Sequence, residues 1–150
     1  MKKYNFKLER LLKIKEYKER LAEEEYSKEL QKKIILEREN KKMSRFIENS
    51  VEEEFFEAKV GEKIDIESFY QHERYIRSLE LKTLENNQKK EELEPVIQKL
   101  KDKLIDATKE KKIMDKLKEK DFEKYKDERN KQDTIKMDEI ASIMQINKTK

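Results

Sequence analysis

Apolar side chains recur at three- and four-residue steps through the first third of the chain: Leu8, Leu11 and Leu12, then Ile14, Tyr17 and Leu21, then Tyr26, Leu30 and Ile34. The series resumes at Met43, Phe46, Ile47, Val51 and Phe55. A helix turns once in about 3.6 residues, so such steps gather the apolar groups along one side. The pattern predicts one long amphipathic helix over about 5–58. It lapses around Val60-Gly61-Glu62-Lys63-Ile64. There Gly61 can take the left-handed conformation that closes a helix, and Asp65 can accept the first free amides of the next one. A turn is therefore expected at about 59–65.

A second seam follows with alternating four- and three-residue steps: Phe69, His72, Ile76, Leu79, Thr83, Asn86, Lys90, Leu93, Ile97, Leu100, Leu104, Ala107, Lys111 and Met114. This is the rhythm of a coiled coil, and it predicts helix two over about 66–146. The stretch from Leu93 to Leu104 is its expected best-packed part. Pro95 lies inside it, removing one amide donor and crowding the carbonyl four residues back, at ~3 kcal/mol in a helix interior. Because the seam continues on both sides, a kink is expected there and not a stop. After Met114 the spacing slips, with Ile113 and Leu117, Phe122 and Tyr125, then Ile140, Ile143 and Met144 as separate groups. A slip of this kind marks a local change in the supercoil or a change of partner.

Folding the helices back at Gly61 brings residue 12 opposite roughly residue 112 and uses up helix one near residue 120. Some 25 further residues, roughly 40 Å of helix, would then project without a partner. Isolated helices with sparse apolar stripes are marginal in water, so Phe122, Tyr125, Ile135, Ile140 and Ile143 should either fray or await another protein. The expected fold class is all-α, one antiparallel two-helix coiled-coil hairpin spanning 1–150 and turning near Gly61.

Composition supports an elongated form. The 150 residues include one glycine and one proline, and 49% are Asp, Glu, Lys or Arg. Hydrophobic residues are 34%, too few to fill a compact domain of this length but enough for one seam between two helices. Disorder also begins from high charge and low hydropathy, but the helical spacing of the apolar groups argues against it. Cysteine is absent, which excludes disulfides and thiolate metal sites. No apolar run approaches the roughly 18 residues a membrane span needs, so a soluble, unexported chain is expected.

Charge is distributed unevenly. Residues 1–20 carry eight basic and three acidic groups, residues 99–136 fourteen and ten, and residues 47–73 two and nine. In a hairpin the two basic segments would meet at the terminal end and the acidic one would form the tip, a polarity that orients approach to a charged partner. Most of these charges read as solvated faces with i,i+4 pairing worth ~0.2–0.5 kcal/mol a pair. Acids interleave with the lysines even in the basic segments, which argues against nucleic acid as a partner.

No pattern for catalysis, a cofactor or a metal emerges. The single histidine, His72, falls on the seam between Phe69 and Ile76, where a packed polar role is expected. No glycine-rich phosphate loop, nucleophile elbow or histidine pair is present. Glu52, Glu53 and Glu54 are consecutive, but neighbouring helical residues point about 100° apart and cannot converge on one cation. A non-enzyme with no small-molecule ligand is expected.

The opening segment, Phe6-Lys7-Leu8-Glu9-Arg10-Leu11-Leu12-Lys13-Ile14-Lys15-Glu16, combines an aromatic, alternating basic and leucine residues, and a charged run. Near the other end stand Lys124-Tyr125-Lys126-Asp127-Glu128-Arg129-Asn130-Lys131-Gln132 and Met137-Asp138-Glu139-Ile140-Ala141, with Tyr75-Ile76-Arg77-Ser78-Leu79-Glu80 between. In this order, and at this length, the segments resemble the bacterial flagellar export protein FliJ family over nearly the whole chain.

That resemblance implies a component of the flagellar type III export apparatus, similar in fold to the central stalk of rotary ATP synthases. Its implied partners are the export ATPase hexamer, whose assembly and activity it promotes, the cytoplasmic domain of the export gate, and export chaperones of late substrates. It implies a bacterial cytoplasmic location, peripheral to the inner membrane. Lys7, Leu8, Arg10, Leu11, Lys13, Tyr125 and Arg129 would face the ATPase. Tyr75 and Leu79 would face the gate. On helix one, Lys41, Arg45 and Glu48 depart from the polar-aliphatic-aromatic face the resemblance implies. Seam packing is the alternative for Leu8 and Leu11, and an exposed aromatic beside Ile76 the alternative for Tyr75. At the level of the whole chain, a virulence-secretion stalk and a self-associating coiled-coil scaffold remain the alternatives.

Overall fold

The computed structural model describes residues 2–60 and 65–149, with side chains for 2–54 and 65–149. It contains two helices, α1 (Glu9–Val60) and α2 (Ile66–Thr149), and no strand among the described residues. The fold class is all-α. The expected turn at Gly61 lies outside the described residues, but its exit is defined. The Asp65 carboxylate accepts from the Glu67 amide and the Ser68 hydroxyl, both at 3.2 Å, and its carbonyl accepts from the Phe69 amide at 2.9 Å. This N-cap satisfies amides that have no partner inside the helix.

Contacts gather into two units. Unit one is Met1–Ala22 with Leu104–Lys150, and unit two is Glu23–Lys103. Within each, α1 and α2 run antiparallel. In unit two, Lys33 reaches Glu94 at 3.8 Å, Glu37 meets Lys90 at 3.5 Å, and Asn40 donates to Asn87 at 3.0 Å. Each advance along α1 is matched by a retreat along α2. In unit one, Glu9 pairs with Lys118 at 2.9 Å and Lys15 with Glu110 at 2.8 Å. Exposed ion pairs of this kind contribute little stability each, but they disfavour slipped alignments in which like charges would meet.

The α2 seam falls where its spacing places it: every member except Phe69 is buried or half-buried. The α1 side differs. Leu12 and Met43 are buried and Tyr26, Leu30, Ile34 and Ile47 half-buried, but Leu8, Leu11, Ile14, Tyr17, Leu21, Phe46 and Val51 are exposed. Small residues, Ala22 and Ser50, occupy the contact instead. The reason is geometric: a two-helix seam uses one residue per half-heptad, whereas the apolar stripe of α1 is wider than that. Ala22 and Ser50, 2% and 4% exposed, fill inward positions, and the bulkier apolar neighbours lie outside them.

The tightest packing is also displaced from the predicted Leu93–Leu104 stretch, where only Ile97 is buried. It lies at Ala22, at Asn86, and in a cluster of Phe6, Leu12 and Met114 with Tyr4 against it. The Phe6 ring adds a third wall that a two-helix contact lacks, so residues 12 and 114 are covered on more sides than Leu93 or Leu104. Packing of Phe6 also explains why α1 starts at Glu9 and not near residue 5: a turn separates Phe6 from the helix, with the Glu9 amide donating to the Phe6 carbonyl at 3.1 Å. α2 passes through Pro95 without ending. Pro95 is exposed, so the carbonyl left without its donor can meet water.

One seam layer in unit two is polar. Asn86, 2% exposed, donates from Nδ2 to Glu39 Oε2 at 3.1 Å and to Asn40 Oδ1 at 3.0 Å. Asn40 in turn donates to Asn87. The chain of donors closes only in one alignment of the two helices, which is how a buried amide selects a register.

Candidate functional site

The residues expected to meet an ATPase all belong to unit one. On α1, Glu9 turns towards Lys118 of α2 and Glu19 towards Lys111 at 3.5 Å, as Lys15 does towards Glu110. A helix advances about 100° per residue, which puts Arg10, Ile14, Tyr17 and Leu21 opposite the buried Leu12, and all four are exposed. The outward arc is thus basic and apolar. Lys7, Arg10 and Lys13 are exposed, and Leu8 and Leu11 are 42% and 39% exposed, so the seam does not consume them.

Tyr125 stands in a different environment. It is half-buried, its hydroxyl donates to the Lys2 carbonyl at 2.8 Å, and its ring lies 5.2 Å from Tyr4 and 6.3 Å from Phe122. The predicted end of pairing near residue 120 therefore falls short. Although non-helical, residues 2–6 continue along α2, half-burying Tyr125 and touching Phe122, which stays 37% exposed. From Lys126 to Thr149, Arg129 included, every residue is exposed, with Ile135, Ile140 and Ile143 at 57%, 50% and 59%. This segment is helical throughout.

Titration of the region follows its contacts. Lost solvent contact, then the bond to Asp121, holds the Tyr4 hydroxyl above its ordinary range. The Glu9 carboxylate raises Lys118, and Lys15 lowers Glu110.

The two residues expected to meet the gate belong to unit two. Tyr75 is 51% exposed and meets the Phe46 ring edge-on, centroids 5.3 Å apart, whereas Leu79 is half-buried on the seam. Lys41, Arg45 and Glu48 are exposed, but it is Phe46, 41% exposed, that shares a surface with Tyr75. The sequence reading missed this because Phe46 fits the apolar stripe and was assigned inward. It also missed Leu81 and Leu84, 63% and 61% exposed, which fall between seam positions. A groove of about 560 Å³ is lined by Lys32, Ile35, Leu36, Lys89, Glu92 and Leu93.

His72 is half-buried, its Nε2 3.6 Å from Glu54 Oε1, and its ring 6.4 Å from Phe46. It packs at the seam. Among the described residues no group of carboxylates or imidazoles is arranged to hold a metal ion, and no helix is long and apolar enough to cross a membrane.

Neither the curated proteins nor the solved structures yield a match to this chain. A family model does, that of the flagellar FliJ protein, over residues 4–150. The match takes in both helices, the aromatic contact at Tyr4 and the exposed end of α2, and the chain belongs to the flagellar FliJ protein family, a family of flagellar protein export.

Proposed function

We propose that this protein is a non-catalytic stalk and coupling factor of the flagellar export ATPase. In this reading unit one docks in the ATPase ring and promotes its assembly and hydrolysis. Unit two contacts the cytoplasmic domain of the export gate through Tyr75, Leu79 and the neighbouring Phe46, and the chain escorts export chaperones. It works in the bacterial cytoplasm, peripheral to the inner membrane. The observation that carries the reading is the family match over residues 4–150, joined to what unit one leaves unpaired. A basic and apolar arc on α1 and an uncovered helix at the end of α2 are surfaces suited to a protein partner.

The test is direct. Purified protein should bind the cognate export ATPase and raise its hydrolysis rate or shift it towards the hexamer. Reversing Lys7, Arg10 and Lys13 to Glu should weaken that binding without loss of helix content, since all three side chains are exposed. A chain that neither binds the ATPase nor changes its assembly or rate would end the proposal. The exposed apolar residues at the end of α2 also favour a second reading, a self-associating scaffold. Light scattering separates the two, because a stalk remains monomeric at micromolar concentration and a scaffold does not.

A further inference from the structure

In unit one the two edges of the helix pair are unequal. The ion pair of Lys15 with Glu110 marks one of them. Leu11 lies one turn from Lys15 towards the start of α1, and Ile113 one turn from Glu110 towards the end of α2. Because the helices are antiparallel, both steps run the same way along the pair. Glu9 pairs with Lys118 and Leu12 packs with Met114, which sets Leu11 roughly level with Leu117, and Ile14 with Ile113. All four of these apolar side chains are exposed. The opposite edge reads Lys13, Glu16 and Arg20 on α1 and Lys112, Asp115 and Glu119 on α2, with both signs interspersed. Ile105 is exposed on that side, but two turns beyond Lys112.

A helix that touches one neighbour needs a single narrow seam, whereas a helix that touches two needs a second apolar strip beside it. Here α1 and α2 each carry that second strip, on the same edge. Leu11 and Ile14 flank the line where the helices meet from one side, Ile113 and Leu117 from the other, and such a pair of strips accepts a third helix. The charges around them indicate what that helix carries. Arg10 and Lys18 stand one turn from Ile14, Lys109 and Lys116 one turn from Ile113, and Lys120 one turn from Leu117. These cations are exposed, and none is in an ion pair among the described residues. The acids at the same spacing are already engaged, Glu110 by Lys15 and Asp121 by the Tyr4 hydroxyl at 3.2 Å.

We propose that the edge of unit one centred on Leu11, Ile14, Ile113 and Leu117 docks an acidic amphipathic helix of a protein partner, packed as a third helix against α1 and α2. Its apolar stripe covers the four aliphatic side chains, and its carboxylates meet the surrounding lysines and Arg10. The identity of the partner as the export ATPase rests on the function proposed above. A bilayer fits less well, because an interfacial helix presents an apolar face several turns long, whereas each strip here runs one turn before reaching Lys18 or Lys120.

The test uses the full chain in three forms, with affinity for the purified ATPase as the readout. They are wild type, Ile113→Gln with Leu117→Gln on the apolar edge, and Lys112→Gln with Asp115→Gln on the opposite edge. Both substituted pairs are exposed, and both leave the net charge unchanged. The apolar-edge variant should bind at least about tenfold more weakly, as expected when two aliphatic side chains leave a covered contact. The opposite-edge variant should stay within about twofold of wild type. If the apolar-edge variant loses helix content, Ile113→Ala with Leu117→Ala replaces it. A benzophenone maleimide on Leu117→Cys, in a chain with no other cysteine, should couple under light to an ATPase helix that has carboxylates beside its apolar face. Coupling to a basic or non-helical segment would overturn the occupant. Equal affinities for all three forms would overturn the docking edge while leaving the ATPase reading intact. Binding by none of them would overturn the ATPase reading, and the assignment of the edge to it. Two further readouts assign the edge elsewhere and also overturn the proposal: wild-type co-sedimentation with phosphatidylglycerol vesicles, or a wild-type dimer in sedimentation velocity, either one lost in the apolar-edge variant.

Discussion

Replacing Asn86 tests whether the polar layer of unit two sets the alignment of the helices. Truncation to alanine removes the donor to Glu39 at 3.1 Å and to Asn40 at 3.0 Å from a site only 2% exposed. The Glu39 carboxylate is exposed and can take water in exchange, so that bond contributes towards the lower end of the ~1.5–3 kcal/mol range for charged partners. The Asn40 carbonyl oxygen loses its donor in a half-buried position, a further loss of about 1 kcal/mol. Together the cost of Asn86→Ala is about 2–3 kcal/mol, or roughly 5–10 °C in thermal midpoint for a chain of this size.

Asn86→Leu should behave differently. Burial of the leucine side chain contributes about 1.5–2 kcal/mol, which offsets most of the lost bonding and leaves stability within about 1 kcal/mol of wild type. What it removes is the penalty on shifted or intermolecular pairings, so a second species should appear in sedimentation velocity. Urea unfolding followed by far-UV circular dichroism measures the first effect and ultracentrifugation the second. An alanine variant that loses less than about 0.5 kcal/mol, or a leucine variant as destabilised as alanine and still monomeric, would refute the reasoning.

Leu12→Ala should cost about 2–4 kcal/mol because Leu12 is 3% exposed, whereas Leu11→Ala, at 39% exposure, should stay within about 0.5 kcal/mol of wild type; denaturant midpoints compare the pair. Pro95→Ala should raise the thermal midpoint, with a gain of about 1–3 kcal/mol, because a donor returns to an exposed helix position at no steric cost. The contact of residues 2–6 with α2 should be lost in alkali. Tyr4 and Lys118 both titrate above their ordinary 10.0 and 10.5, so their contributions are complete below those values and disappear as pH rises through the elevated ones. Tyrosinate absorbance should therefore reach its plateau at higher pH for wild type than for a Tyr4→Phe chain, and titrations that finish together would count against the contact. Tyr75→Ala should weaken binding to the gate domain without changing helix content, because Tyr75 is half exposed and its ring contact among the described residues is with the rim aromatic Phe46. Unchanged gate affinity would remove Tyr75 from that surface.

The α2 seam was legible from spacing alone, down to polar members such as Asn86, Lys90 and Lys111, because a strict four-three rhythm leaves one choice of inward face. The Asp65 cap was legible for a similar reason: a short acceptor directly before a helical pattern has one main use. The α1 seam was not, since Leu8, Leu11, Ile14 and Leu21 fit a helical stripe as well as Leu12 does. Spacing does not report that the small Ala22 is the buried position while Ile14, Tyr17 and Leu21 are exposed. Nor did periodicity reveal the course of residues 2–6, because an extended segment held by Tyr4 and Phe6 has no helical period to detect. The paired part of α2 consequently reaches Tyr125, beyond the limit set by counting helical residues from the turn. Of the candidate interaction residues, the exposed basic ones lie where solvation would put them. Phe46, on the Tyr75 surface, was hidden because an aromatic in an apolar stripe ordinarily points inward.

The proposed stalk acts by docking and not by chemistry of its own. Size-exclusion chromatography of the full chain mixed with the purified export ATPase and a non-hydrolysable nucleotide, followed by hydrolysis assays on the same fractions, tests it most directly. The chain should co-elute with the ATPase hexamer and increase its turnover. Separate elution with an unaltered ATPase rate would contradict it.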